Sequence, residues 1–208
     1  MGDRRRHLRA LLLAAAKQRA SAALALDGDA LFAPYSPSPD SVIHAVWTHF
    51  RTYGVSLAPH ELLVDLGCGD GRWLVTGVRE FGCQALGIEL DPALVRAAIA
   101  NVSLAGFDAS VRVIEGDIMQ VPIHEARLVI VYAFAESLHG IREHLVSQLG
   151  ANAIVLSIGF RVPDWKPKWS EKVGGLRWYL YAMQSCSPSA SETDLDSTTT
   201  EGAARDAV

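Results

Sequence analysis

Val64-Asp65-Leu66-Gly67-Cys68-Gly69-Asp70-Gly71, followed by Gly87-Ile88-Glu89-Leu90-Asp91, is the stretch of this 208-residue chain whose reading decides its fold. It reads as an apolar strand, a glycine turn, a helix start, and a second strand that ends on an acid. Glycines belong where backbone takes positive φ or approaches a ligand closely, and an acid at the second strand's tip can accept hydrogen bonds from ribose hydroxyls. The layout predicts a nucleotide-type cofactor site in a doubly wound α/β sheet.

Outward from this stretch, strand and helix patterns alternate. Residues 41–53 carry Val42, Ile43, Val46, Trp47 and Phe50 at helical spacing. Strands are expected over 62–66, 85–90, 111–115, 128–134 and 153–158, helices over 73–81, 92–104 and 136–149, and a last strand over 177–183. Several of these strands are near-continuous apolar runs, as parallel strands covered on both faces require. Pro92 suits a helix start, where a missing N–H costs nothing. Lys166, Lys168 and Lys172 with Trp165 and Trp169 read as a solvated loop holding two partly buried tryptophans. The prediction is a single-domain, mainly parallel Rossmann-like sheet, with Gly67, Glu89, Asp117 and residues 132–135 along its carboxyl edge.

The glycine spacing narrows the ligand. The dinucleotide fingerprint G-x-G-x-x-G sets a helix N-terminus against a pyrophosphate. Here the pattern is Asp65-x-Gly67-x-Gly69-x-Gly71, one residue tighter and with a carboxylate two positions before the first glycine. That carboxylate repels a pyrophosphate and suits a ligand carrying an ammonium group. S-adenosylmethionine is such a ligand, with an amino-acid end, a sulfonium, a ribose and an adenine. Glu89, eighteen positions after Gly71, would hold both ribose hydroxyls. The chemistry points to methyl transfer rather than to the hydride transfer of a nicotinamide-dependent oxidoreductase.

On these motifs, and on Glu115-Gly116-Asp117-Ile118 after the third strand, the chain resembles the class I S-adenosylmethionine-dependent methyltransferases over roughly residues 34–183. The resemblance implies that Asp117 contacts the adenine amino group. It implies a cofactor site of Asp65, Gly67, Gly69, Gly71, Glu89, Leu90, Asp117 and Ile118. A narrower resemblance is to the small mitochondrial protein-lysine methyltransferases that modify the ATP synthase c subunit and the adenine nucleotide translocase. It rests on the lead-in Pro34-Tyr35-Ser36-Pro37-Ser38-Pro39 and on Phe160-Arg161-Val162-Pro163-Asp164-Trp165-Lys166-Pro167 after the fifth strand. It implies a protein substrate with a lysine acceptor and a mitochondrial location, the cytoplasm being the other option. Such enzymes often carry a hydrophobic segment near the start. Only the short run 11–16 stands there, which counts against membrane association.

The residues after strand four bear on the acceptor. A base-modifying amino-methyltransferase is expected to show Asn or Asp followed by Pro-Pro-Tyr or Pro-Pro-Phe. The chain has Tyr132-Ala133-Phe134-Ala135-Glu136-Ser137 instead. Aromatic rings beside a carboxylate suit an aliphatic amine and its methylated forms. Tyr35, Tyr132, Glu136 and Trp165 are the candidates for lining such a slot. Phe134 is expected in the core. A lysine must lose its proton before it can accept a methyl group, and a desolvating slot lowers its pKa. The alternatives are an RNA or small-molecule methyltransferase, or a module that binds the cofactor without turnover.

Composition supports this reading. Cys68, Cys83 and Cys186 are widely spaced, which argues against a disulfide scaffold or a cysteine zinc site. Glu136, His139 and His144 share a predicted helix, but the histidines are five apart and do not present one clean face, so no metal is expected. Residues 27–184 hold 12 Lys/Arg against 17 Asp/Glu, so nucleic acid is not an expected partner. Residues 1–33 form a basic N-terminal helix or a targeting segment: Arg4, Arg5, Arg6, Arg9, Lys17 and Arg19 stand against one acid, Asp3. Residues 34–184 form the methyltransferase domain, and the polar stretch 185–208 is expected to be disordered.

Overall fold

Apolar runs of five or six residues become central strands here because helices or loops cover both sides of the sheet. The computed structural model describes residues 36–135 and 137–185. The basic N-terminal segment, Tyr35, Glu136 and the polar tail therefore lie outside the described residues. The elements run α1 (Asp40–Thr52), β1 (Leu62–Leu66), α2 (Arg72–Phe81), β2 (Gln84–Glu89), α3 (Pro92–Leu104), β3 (Val111–Glu115), β4 (Ala126–Val131), α4 (Leu138–Gln148), β5 (Ile154–Ile158), β6 (Trp169–Val173) and β7 (Leu176–Ala182).

The seven strands form one sheet in the order β3-β2-β1-β4-β5-β7-β6. β1 pairs parallel with β2 on one side and β4 on the other, so Leu66 lies opposite both Ile88 and Val131. The strand order reverses between β1 and β4. A crevice opens at such a switch point, at the carboxyl ends of the strands. Side chains alternate between the faces of each strand. Leu63, Leu128, Ile130, Leu156 and Ile158 pack with α1, α2 and α3 on one face, while Val64, Leu66, Val129, Val131 and Val155 pack with α4 on the other.

Two expectations are corrected. Strand four ends at Val131 rather than at residue 134, because its last rung pairs Val131 with Ser157. Tyr132, Ala133 and Phe134 thereby leave the ladder and enter the carboxyl edge. The expected solvated loop around Trp169 is instead β6, an edge strand paired antiparallel with β7. Gly174 and Gly175, at φ 55° and 87°, make the two-residue turn between them. Trp169 stacks on Tyr53 with centroids 4.7 Å apart, and the Lys168 ammonium lies 4.4 Å from the Trp169 ring.

Candidate active site

The glycine turn is held by β2. Gly67 and Cys68 both donate their N–H groups to the Ile88 carbonyl, at 2.9 and 3.0 Å. Gly67, Gly69 and Gly71 all take positive φ, at 80°, 54° and 78°. Their surroundings differ. A Cβ at Gly67 would meet nothing within 4 Å, so this backbone faces open space at the switch point. A Cβ at Gly71 would lie 3.2 Å from the Ala98 Cβ, so this glycine lets the start of α2 touch α3.

Glu89 organises the turn as well as ending β2. Its Oε2 accepts from Gly69 N at 2.9 Å, and its Oε1 from Leu90 N at 2.8 Å and Asp91 N at 3.0 Å. Three of the carboxylate's roughly four acceptor sites are thereby used, and the remaining one lies on Oε2. Asp65 is 3% exposed, and its Oδ2 has no hydrogen-bond partner among the described residues. Burial, reinforced by Glu89 and Asp70, pushes its carboxyl up to about 8. The Cys68 thiol is likewise pushed well up, chiefly by burial and then by Asp65, so it stays protonated and is no nucleophile. Arg72 clasps the entrance: its guanidinium donates twice to Asp70, at 2.9 and 2.6 Å, and once to the Ser38 carbonyl at 2.8 Å.

Beyond β3, Gly116 N donates to the Glu89 carbonyl at 2.9 Å, which draws the next turn against β2. Asp117 Oδ1 accepts from Met119 N at 2.8 Å. Leu90 leaves its apolar side chain 44% exposed beside this turn, while Ile118 is buried in the core. His144 of α4 has a buried Nε2 with no partner among the described residues. Burial lowers its pKa, and Asp117 opposes that shift.

The other half of the edge is aromatic. Tyr132 lies against Gly159 so closely that a Cβ there would stand 3.2 Å from its ring. Phe134 does not enter the core. It meets Phe160 edge-on, with centroids 6.3 Å apart at 63°. Phe160, which the sequence reading quoted in the motif after strand five but did not place in the slot, stands directly after the Gly159 turn at the end of β5. Trp165 is 4% exposed and packs on Tyr181 at 5.5 Å, within the core. It anchors the loop after β5, its large apolar ring taken into the core beside α4. Tyr35 and Glu136, the remaining slot candidates, lie outside the described residues.

A cavity of about 350 Å³ opens at the opposite, amino edge, lined by His60, Glu61, His124, Arg127 and Asn152 among others. Its Arg127 is already bound by Glu61 at 3.2 Å and by the Asn152 carbonyl at 2.7 Å. His139 pairs with Glu143 at 3.4 Å.

Residues 65–169 match the ANTKMT methyltransferase domain. The chain is 28% identical over 155 residues to a protein-lysine N-methyltransferase of Saccharolobus islandicus, covering 72% of this chain and 93% of the relative. It is 32% identical over 130 residues to the adenine nucleotide translocase lysine N-methyltransferase of Mus musculus, covering 62% of this chain and 56% of the mouse protein. It thus spans nearly all of the first relative and little more than half of the second. Among solved structures, an RNA methyltransferase from Salinibacter ruber in complex with S-adenosyl-L-homocysteine matches with a TM-score of 0.66 and 30% identity, over 77% of this chain and 99% of that one. With about half of its length matched by that family, and its sheet shared with a methyltransferase bound to S-adenosyl-L-homocysteine, the chain belongs to the ANTKMT methyltransferase domain family and is an S-adenosylmethionine-dependent methyltransferase.

Proposed function

We propose that this enzyme transfers a methyl group to the ε-amine of a protein lysine. The donor half rests on one observation: a buried carboxylate with an unpartnered oxygen, Asp65, next to a glycine turn whose first member faces open space. That arrangement fits an ammonium group beside a closely approaching ligand. Glu89 then takes a ribose hydroxyl on the remaining lone pair of Oε2, Asp117 takes the adenine amino group, and the exposed Leu90 side chain covers the base. Ile118 supports that turn from the core.

S-adenosylmethionine supplies a methyl group already activated by its sulfonium, so the protein's task is mainly positioning. The acceptor must arrive as a neutral amine. The lysine ammonium gives a proton to water, the amine's lone pair then forms the N–C bond while the C–S bond breaks with its electrons staying on sulfur, and the products are a methylammonium and S-adenosylhomocysteine. A desolvating slot lowers the lysine pKa, and Tyr132, held against Gly159, and Glu136, by its place in the sequence, are the candidates for guiding its proton to water.

The lysine acceptor is supported by the relatives from Saccharolobus islandicus and mouse, which are named for protein-lysine methylation. A second reading, methylation of RNA, is favoured by the name of the Salinibacter ruber relative. Against it stands the acidic balance of residues 27–184, with 12 Lys/Arg and 17 Asp/Glu. Incubation with labelled methyl donor and a cell extract distinguishes them. Label recovered as methyl-lysine after protein hydrolysis is expected; label confined to nucleotides overturns the lysine proposal. The arginine-rich, acid-poor residues 1–26 support a mitochondrial location. A tagged full-length chain is expected in mitochondria, and exclusive cytosolic localisation would rule that out.

A further inference from the structure

We propose that Phe160, held edge-on to Phe134, is an acceptor-binding residue of this enzyme: the exposed part of its ring receives the aliphatic chain and cationic head of the lysine. The inference rests on the lysine reading above.

Position is the first support. Asp117 follows β3, Glu89 ends β2 and Asp65 lies on β1, so the donor occupies one half of the carboxyl edge and its amino-acid end reaches the switch point. The acceptor must then approach over the next strands, β4 and β5. Phe134 lies three residues past the end of β4, and Phe160 two residues past the end of β5. Their rings meet across that gap at 6.3 Å.

The second support is how firmly the loop after β5 is built around a half-wet ring. Phe160 is 37% exposed, so part of its ring stays open at the carboxyl end of β5. The buried Ser157 hydroxyl donates to the Phe160 carbonyl at 2.8 Å, and Gly159 N donates to the Arg177 carbonyl at 2.7 Å. Val162 N donates to the Tyr181 hydroxyl at 3.0 Å, and Asp164 pairs with Arg142 of α4 at 2.7 Å. Asp164 itself takes φ 61°, a strained conformation for a non-glycine residue, and such strain concentrates at functional sites. Arg161 turns back to the Trp165 carbonyl at 3.2 Å, so its charge is engaged within the loop.

Ring chemistry supplies the attraction. Aromatic faces attract a cation, and the exposed part of the Phe160 ring gives the alkyl chain an apolar surface.

Three proteins test the proposal: wild type, F160A and F160Y, each assayed with labelled S-adenosylmethionine on a protein extract and titrated with S-adenosylhomocysteine by calorimetry. For F160A, apparent kcat/KM for lysine labelling is expected to fall roughly tenfold, the effect of losing one well-packed cation–π face, with the S-adenosylhomocysteine Kd within twofold of wild type. F160Y, which keeps the ring, is expected to stay near wild type. Equal lysine labelling by F160A and wild type overturns the role of Phe160 and leaves the lysine reading standing. Loss of S-adenosylhomocysteine binding in F160A also overturns it, since the residue would then serve the cofactor site. Wild-type label found only in RNA overturns the lysine reading itself, and this inference with it.

Discussion

Asp65 carries an unpartnered oxygen in the core, and burial holds its carboxyl up at about 8. An ammonium brought against that oxygen favours the charged form, so cofactor binding near neutral pH must expel a proton. S-adenosylhomocysteine affinity is therefore expected to weaken as pH is lowered from 8 to 6, approaching roughly tenfold per unit. Titrations in buffers of different ionisation enthalpy should show the proton released; a pH-independent affinity would contradict the assignment. The ligand-free protein shows the opposite sign. Its folded pKa lies above the unfolded one, so the native state holds the extra proton and loses stability as pH rises through that window. D65N is expected to flatten this slope, gaining on the order of 2 kcal/mol relative to wild type between pH 6 and 8, while binding S-adenosylhomocysteine poorly. At the neighbouring acid, E89Q keeps the size of the side chain but loses the charge that orients the Gly69, Leu90 and Asp91 N–H groups. Its S-adenosylhomocysteine Kd is expected to rise by one to two orders of magnitude, on the scale of a lost charge-assisted bond.

Elements set these residues through close approach. Gly87 of β2 lies under the glycine turn, where a Cβ would stand 2.5 Å from a Leu74 methyl and 2.7 Å from the Cys68 sulfur. G87A is expected to destabilise the protein by about 1–3 kcal/mol in urea denaturation and to weaken cofactor binding, since the turn must yield. The loop after β5 depends on β7 in the same way. Y181F removes the partner of the Val162 N–H in a buried setting and is expected to cost about 1–3 kcal/mol. Lysine labelling should drop in that variant while S-adenosylhomocysteine binding holds; an equal fall in both would detach the loop from the acceptor side. Element boundaries also explain two misread stretches. Tyr132 and Phe134 continue an apolar run and look like strand, but β1 ends at Leu66, opposite Val131, and the last rung with β5 is Val131 with Ser157. Trp169–Val173 alternates half-buried with exposed residues before a Gly-Gly pair, a hairpin signal that its lysines obscured.

For the whole molecule, saturating S-adenosylhomocysteine is expected to raise Tm in proportion to ln(1 + [L]/Kd), and D65N should abolish most of that shift. Across this scale the sheet was legible because it follows from local pattern: apolar runs, a helix start at Pro92, a glycine turn and acids at strand tips all act within a few residues. The candidate donor site could be assembled from sequence for the same reason, as Asp65, Gly67 and Glu89 come from two consecutive strands and the turn between them. The acceptor side could not, because its residues come from distant segments and only burial sorts them. Trp165 and Phe160 are five positions apart in one loop, yet one is core and the other faces the edge. The amino-acid sequence by itself determined the fold class and the methyl donor, through periodicity and short-range spacing. Only the tertiary structure decided which aromatic residues are buried and which stand partly exposed past β4 and β5, since that depends on how far those strands extend and on which rings the core takes in.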